Sequence, residues 1–156
     1  MKINQKLLIV PIVAGALACG GGNEAVEENQ KPKTEVQSMY QKAPDPMENP
    51  GIGPIKELTL PAEIDQEMAK KGEEVYVLKC TACHKPTEKY IGPSPQGIFE
   101  RRNPAWVMNM ILNPEGMVAE DPIAKKLLME FNGSPMANQG LTEDEARAIL
   151  EYFRTI

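Results

Sequence analysis

Apolar residues recur at helical spacing in four stretches of the C-terminal two thirds of the chain. Residues three and four positions apart share one face of a helix, so each stretch predicts an amphipathic helix. The predicted helices cover residues 63–78, 105–112, 122–131 and a final segment that begins after Thr142. No stretch has the alternating pattern of a strand, and no internal repeat is present. We therefore predict an all-α fold of three to five helices.

Local signals mark the ends of these helices. Thr142 and Glu145 have the spacing of a capping box, and Asp121, which precedes a proline, has the pattern of an N-cap. The sequence Asn113-Pro114-Glu115-Gly116 is expected to break the chain into a loop. Gly72 lies inside the first predicted helix, where glycine costs about 1 kcal/mol relative to alanine. A close crossing with another helix would justify that cost.

The first 18 residues have the layout of an export signal. Lys2 and Lys6 form a basic start, and residues 7–17 form an apolar run too short to span a bilayer. Small residues before Cys19 resemble a bacterial lipoprotein cleavage site, so Cys19 is predicted to become an acylated N-terminus. The alternatives are ordinary signal cleavage, which leaves Cys19 a free thiol in a soluble periplasmic protein, and an uncleaved anchor. The prediction is an exported, periplasmic, membrane-anchored lipoprotein.

Residues 19–60 are predicted to be a flexible linker between the acylated cysteine and a folded domain at 61–156. The segment opens with glycines and is rich in Glu, Gln, Asn, Lys and Pro. A flexible tether of this length has a root-mean-square reach of roughly 35 Å, which would let the domain move between partners. The spaced apolar residues of 51–60 leave open the alternative that this last part packs on the domain.

Charge and composition narrow the class of partner. The 156-residue chain has a formal net charge of −5, with 17 basic and 22 acidic residues. Loss of residues 1–18 removes two lysines and no acid, which leaves 15 against 22, a net charge of −7. Such an acidic protein is a poor candidate for nucleic-acid binding. Aromatic residues make up only 5% of the chain, which is a thin supply for a large core.

The motif that carries the chemistry is Cys80-Thr81-Ala82-Cys83-His84, which has the spacing of a c-type haem attachment site. On a helical turn both thiols and the imidazole share one face. The thiols can then form thioethers to the haem vinyl groups while His84, the only histidine in the chain, lies beneath the iron. We predict one covalent haem c. A zinc site, a thioredoxin-like dithiol and an inert cysteine pair are the alternatives, but no second Cys/His cluster or βαβ pattern accompanies the motif.

The sixth ligand of the iron cannot be a second histidine of this chain, which leaves methionine, lysine, an exogenous ligand or water. Met136 stands in a proline-containing loop before the last helix, where no helical pattern explains it, and we predict it as the distal ligand. Met117, in a predicted loop, is the rival candidate. Met108, Met110 and Met129 follow helical patterns and are expected in the core.

Residues 61–156 resemble a class I monohaem cytochrome c. The likeness rests on the haem motif, on Gly72 and Tyr76 in the first helix, and on Ile149 and Tyr152 in the last. It implies the cytochrome c fold, in which helices wrap around one covalently bound haem and the first helix packs against the last.

The same resemblance implies roles for three residues outside the motif. Gly92-Pro93 resembles the family's loop whose proline carbonyl accepts a hydrogen bond from the proximal histidine, which implies that role for Pro93. Residues 97–101 resemble the stretch whose arginine lies near a haem propionate, which implies that role for Arg101. Ser134-Pro135-Met136 resembles the distal methionine loop, although the family often has proline after the methionine and here it precedes. A narrower likeness, at residues 51–55, 100–102, 106–114 and 136–139, is to cytochrome domains that accompany or are fused to bacterial nitrous oxide reductases.

These features predict an electron-transfer protein rather than an enzyme. Electrons would pass between a respiratory donor and a terminal reductase or oxidase, with nitrous oxide reductase as a candidate partner. The alternative is a haem-based binder or sensor of small ligands with an open or weak sixth site. The single haem motif disfavours a dihaem peroxidase. Four basic residues either steer an acidic redox partner or form an ordinary solvated face; they are Lys85, Lys89, Arg101 and Arg102.

Overall fold

The computed structural model describes residues 44–156, and its secondary structure is entirely helical, as predicted. Within this range there are five α-helices and one short 3₁₀ turn at Ile98–Glu100. The helices are α1 (Gln66–Lys79), α2 (Pro104–Leu112), α3 (Pro114–Glu120), α4 (Pro122–Glu130) and α5 (Glu143–Phe153). None of these helices has the length and apolar character that crossing a bilayer requires. The predicted signal segment, Cys19 and residues 20–43 lie outside the described residues.

Helices α1 and α5 cross at the point where α1 contains Gly72. A Cβ atom at Gly72 would overlap the carbonyl group of Ala148, so the crossing requires glycine, as expected. One turn later the buried ring of Tyr76 packs against Tyr152, with centroids 5.3 Å apart, and edge-on against Phe153 at 5.7 Å. The first and last helices therefore form one packed unit beneath the haem motif.

A buried carboxylate fixes the other end of this helix pair. Glu151 of α5 is fully buried and accepts a hydrogen bond from the backbone N–H of Asp65, the N-cap residue of α1. Arg147 and Arg154 both form ion pairs with the Glu151 carboxylate. Arg154 also donates to the carbonyl oxygens of residues 61–63. These bonds hold the chain that leads into α1 against the last helix.

The three middle helices each begin with proline behind a capping side chain. Asn103, Asn113 and Asp121 accept hydrogen bonds from the backbone N–H groups of the first turns of α2, α3 and α4. Proline is favoured at the first helical position because it has no N–H group to leave unpaired. The expected loop after Asn113 is wrong for this reason: the chain breaks there, but Asn113 and Pro114 start the seven-residue helix α3.

Residues 44–60, here called the N-terminal arm, pack on the helical domain instead of forming a free linker. Asn109 of α2 accepts a hydrogen bond from the Ile55 N–H and donates to the carbonyl oxygens of Pro50 and Ile55. Asn49 of the arm donates to Asp121 over 2.6 Å. The prediction of a flexible linker up to residue 60 therefore does not hold for the arm, and the packed part of the chain begins well before residue 61.

The methionines divide differently from the expectation. Met108 is buried and Met110 is partly buried, but Met129 is 74% exposed on α4. Met117 is fully buried in α3, and its Sδ atom lies 3.0 Å from the arm N–H of Ile52, which donates to it. The core position expected for Met129 is therefore wrong, while Met117 packs under the arm.

Candidate haem-binding cleft

A largely apolar cleft opens between α1, the middle helices and the loops that flank the haem motif. Its floor and walls include the side chains Ile98, Trp106, Val107, Ile111, Leu127 and Phe153. Cys80, Cys83, His84 and Met136 line the same cleft. The structure thus brings the three motif side chains and the predicted distal methionine to one cavity, although Met136 lies 52 residues after His84 in the sequence.

The motif forms a tight turn at the C-terminal end of α1. The backbone N–H groups of Cys83 and His84 both donate to the carbonyl oxygen of Cys80, at 3.0 and 2.9 Å. The hydroxyl of Tyr76 donates to the carbonyl oxygen of His84 at 3.0 Å, which ties the turn to the crossing of α1 and α5. Cys80 is partly buried and Cys83 is exposed. Before a haem is attached, burial and the charge of Cys83 raise the pKa of the Cys80 thiol to about 11.

The imidazole of His84 is oriented by a backbone carbonyl. Its Nδ1 atom lies 2.8 Å from the carbonyl oxygen of Pro93, as the family resemblance implies. A carbonyl can only accept, so Nδ1 carries the proton and Nε2 is left as the atom able to bind a metal. Gly92 lies against the ring, because a Cβ atom there would approach three ring atoms to 3.0 Å or less. The ring is therefore clamped by the loop that follows the motif.

Arg101 stabilises this loop from its far side. The Arg101 guanidinium donates to the carbonyl oxygens of Gln96 and Ser94, each at 2.7 Å. The Ser94 hydroxyl in turn donates to the carbonyl oxygen of Pro86 at 2.7 Å. Arg101 also lines the cleft. Its position therefore explains the loop geometry and leaves further guanidinium N–H groups for another acceptor.

The two candidate methionines lie in different environments. Met136 is partly buried, packs against the hydrophobic core and lines the cleft. Met117 is absent from the cleft lining and has its sulfur directed to the arm. Met110 also lines the cleft but belongs to α2, so Met136 is the cleft methionine that lies in a loop.

The residues present fit a covalently bound haem. The cleft offers apolar walls, two thiols at the required spacing, an imidazole with a free Nε2 and a thioether, which is the donor set of a c-type haem site. In residues 44–156 no three His, Cys, Asp or Glu side chains are grouped so as to hold a metal ion.

Comparison with known proteins shows the family of the chain. A family model for cytochrome c matches residues 69–156, more than half of the chain. The cytochrome c from Rhodothermus marinus is 42% identical, with a TM-score of 0.67 over 71% of this chain and 96% of its own. An engineered form of that cytochrome bound to a carbene intermediate is also 42% identical, with a TM-score of 0.61 over 66% of this chain and 88% of its own. The cytochrome c domain of a Pseudomonas putida protein is 28% identical, with a TM-score of 0.51 over 54% of this chain and 85% of its own.

A search of curated proteins found no match. The helical fold and cleft define a c-type haem protein, and the matches above show its family: the chain belongs to the cytochrome c family. Members of this family hold haem c covalently and carry electrons, and these two properties are those of the present chain.

Sequence reasoning did not identify the group at the back wall of the cleft. Trp106 lines the cleft, its indole Nε1 donates to the buried Asp121 over 3.1 Å, and Arg102 lies over its ring at 5.3 Å from the centroid. Asp121 was recognisable only as an N-cap. The chain has a single tryptophan, Trp106, whose indole N–H needs an acceptor when it is buried. Nothing in the sequence indicates that Asp121 is that acceptor.

Proposed function

We propose that this protein is an exported, lipid-tethered one-electron carrier whose haem is held by Cys80 and Cys83 and ligated by His84 and Met136. The observation that carries the proposal is the hydrogen bond from His84 Nδ1 to the Pro93 carbonyl in a cleft that Met136 also lines. The bound haem supplies reversible one-electron chemistry at its iron. The residues of the chain bind it, orient its ligands and keep water from its apolar faces.

The ligand pair suits an electron carrier because neither side chain has to leave or rearrange. His84 is held in one tautomer by Pro93 and in one orientation by Gly92. A thioether from Met136 is a soft ligand that favours the reduced state and raises the potential. A site that keeps both ligands in both oxidation states needs little reorganisation, which favours fast transfer.

The basic residues around the cleft suit contact with an acidic group. Arg101 and Arg102 line the cleft, and Arg101 retains N–H groups for a haem propionate. Lys85 and Lys89 lie over the rings of Tyr90 and Phe131, at 5.1 and 4.4 Å from the centroids. Lys85 and Lys89 follow the haem motif in sequence, and Arg101 and Arg102 line the cleft, in a protein that is acidic overall. These four positive charges would orient the cleft towards an acidic redox partner.

The proposed location and partners rest on the N-terminal sequence and the resemblance stated for it. Cleavage before Cys19 and acylation of its thiol would tether the domain to the membrane surface, and residues 20–43 would act as the linker. Electrons would then pass between a respiratory donor and a terminal reductase or oxidase, of which nitrous oxide reductase is the candidate that the sequence likeness suggests. Conversion of Cys19 to serine tests the tether, because it should move the protein from the membrane to the soluble periplasmic fraction.

The visible spectrum of the oxidised holoprotein tests the ligand pair. Methionine bound to ferric haem gives a weak far-red charge-transfer band. We expect this band in the wild type, its loss in Met136→Ala, and its retention in Met117→Leu, a matched control in which the altered sulfur packs under the arm. A high-spin wild-type spectrum together with ready binding of carbon monoxide to the reduced form would overturn the carrier proposal and favour a ligand sensor.

A further inference from the structure

Asp121 is a buried carboxylate one side chain away from the haem cleft. It is only 2% exposed. Its Oδ1 atom accepts hydrogen bonds from the Trp106 indole at 3.1 Å and from the backbone N–H of Ala124 at 2.7 Å. The indole ring that donates to it forms part of the cleft wall. The carboxylate therefore lies directly behind that wall.

The hydrogen bonds around Asp121 are those of an ionised group. Its Oδ2 atom faces the amide Nδ2 of Asn49 at 2.6 Å, and the orientation of that amide is fixed because its Oδ1 accepts from the Gly51 N–H at 2.9 Å. All three groups that contact the carboxylate are donors, so none could accept a proton from a neutral acid. The N-terminal end of α4, which Asp121 caps, also favours negative charge.

The charge of Asp121 is not cancelled by an adjacent cation. Among the described residues no Lys or Arg nitrogen forms an ion pair with it within 4.0 Å. Arg102 is a cation beside this wall, and its guanidinium lies over the Trp106 ring, 5.3 Å from the ring centroid. Hydrogen-bond donors are therefore the direct contacts of the carboxylate, and the charge of Arg102 interacts with it from beyond ion-pair distance. Because Asp121 is buried, its field extends into the cleft with little screening by salt.

Capping does not require this charge. Asparagine or serine caps a helix as well as aspartate, and either could accept from the indole and from Ala124, although neither has the second carboxylate oxygen that accepts from Asn49. A buried carboxylate has a large desolvation cost, which a neutral residue would avoid. The charge thus calls for an explanation beyond the stability of α4.

We propose that Asp121 is a positioning residue for electron transfer that acts through Trp106: its buried negative charge stabilises the oxidised form of the haem site and sets the reduction potential below the value that the axial ligands alone would give. The oxidised site carries one more positive charge than the reduced site, so a nearby negative charge favours it by Coulomb attraction. This inference rests on the proposed carrier function and adds a determinant of its potential.

The test is a spectroelectrochemical titration of the holoprotein at low and high salt. Asp121→Asn and Asp121→Ser remove the charge and keep a capping side chain, so both should raise the midpoint potential, by similar amounts at both salt concentrations. Glu120→Gln is the matched control, since it removes the same charge from the exposed neighbouring residue. It should give a smaller shift that disappears at high salt. The far-red band is recorded for each variant to show that axial ligation is unchanged.

A second variant changes the surroundings of the Asp121 carboxylate and leaves Asp121 in place as the N-cap of α4. Asn49→Ala removes one donor from the carboxylate and leaves its charge less compensated, so the potential at neutral pH should fall, opposite to the Asp121 variants. The inference is overturned if the Asp121 variants shift the potential no more than Glu120→Gln, or if Asn49→Ala raises it. A wild-type protein without a reversible one-electron couple would instead overturn the proposed function, so the two failures are distinguishable.

Discussion

Gly72 of α1 contacts the backbone carbonyl of Ala148 in α5 so closely that no side-chain atom fits between them. This contact sets the distance at which the first and last helices cross. Tyr76, one turn further along α1, is brought by the same crossing to both aromatic rings of α5 and to the carbonyl of His84. The helix crossing and the position of the haem motif are therefore one structural unit.

We expect Gly72→Ala to destabilise the holoprotein by about 2 kcal/mol. Alanine would gain about 1 kcal/mol from helix propensity, but its Cβ would overlap backbone that cannot move without separating the helices, and overpacking costs about 1–3 kcal/mol or more. Chemical denaturation followed by helical circular dichroism measures the change. Glu74→Ala, at an exposed position of the same helix, should have almost no effect. Equal stability of Gly72→Ala and the wild type would show that the helices do not cross this closely.

Substitution of Gly92 should disturb the iron ligand rather than the fold. The Cβ atom of Gly92→Ala would displace the His84 ring from the Pro93 carbonyl, and loss of such a supporting hydrogen bond costs about 10–100-fold in metal affinity or activity. We expect a more high-spin spectrum and at least roughly tenfold slower electron exchange. Pro93→Ala is the control, because it keeps the accepting carbonyl and should change the spectrum little. A normal low-spin spectrum for Gly92→Ala would contradict the clamp on His84.

Glu151 should make the stability of the protein depend on acid pH. Burial alone would raise the pKa of Glu151, but hydrogen bonds from the Asp65 N–H and Arg147, with the charges of Arg147 and Arg154, outweigh it and hold the pKa below its ordinary range. A carboxyl whose folded-state pKa is depressed stabilises the fold above its unfolded pKa, about 4.3. That stabilisation is lost as the pH falls through the folded-state pKa.

The variant Glu151→Gln isolates this contribution. It should lower the free energy of unfolding by about 2 kcal/mol at pH 7, because two partly buried arginines lose their partner. The difference from the wild type should begin to shrink as the pH falls below the unfolded-state pKa of about 4.3, and it should continue to shrink down to the folded-state pKa, where the folded wild type loses the charge. Urea denaturation at several pH values measures both. Glu130→Gln, from an exposed pair with Lys126 at 3.8 Å, should change stability little at any pH. A pH-independent difference would assign the effect of Glu151 to packing instead.

The parts of the fold that were predictable from sequence depend on short-range signals. The start of α5 follows from Thr142 and Glu145, which bond to each other within one turn. Helix α3 was missed because a proline after asparagine ends one helix and starts the next with the same residues. The attachment of the N-terminal arm was not predictable, because its anchors are Asn109 and Asp121. They lie 54 and 72 residues from the arm groups that they bind, and they look like ordinary polar helix residues in the sequence.

In the haem site, too, the features set by local sequence were predictable, and those set by long-range packing were not. The motif at 80–84 is local, and its chemistry could be inferred from spacing alone. The link between Trp106 and Asp121 depends on how α2 packs against the start of α4, which no local pattern specifies. Met136 could be selected from nine methionines only because it stood outside every helical pattern, and the cleft supports that choice.

Asn109 should hold the N-terminal arm in place. It is fully buried and satisfies the Ile55 N–H and the carbonyl oxygens of Pro50 and Ile55. Asn109→Leu keeps the branched shape of the side chain but leaves these arm groups without partners, and each unsatisfied buried group costs about 1–3 kcal/mol. The arm can restore its hydrogen bonds by moving into water. We therefore expect it to detach, with a loss of about 2 kcal/mol in the free energy of unfolding.

Limited digestion with trypsin measures the detachment directly. Lys56 is exposed within the arm, so Asn109→Leu should be cleaved there much faster than the wild type, while the haem motif stays in the larger fragment. Asn138→Leu alters an exposed asparagine whose amide donates to the carbonyl of Leu112 at 3.3 Å, and it should leave cleavage at Lys56 unchanged. If Asn109→Leu resists cleavage at Lys56 as well as the wild type does, the contacts of the arm with Asp121 and Met117 are sufficient to hold it. The buried amide would then serve α2 alone.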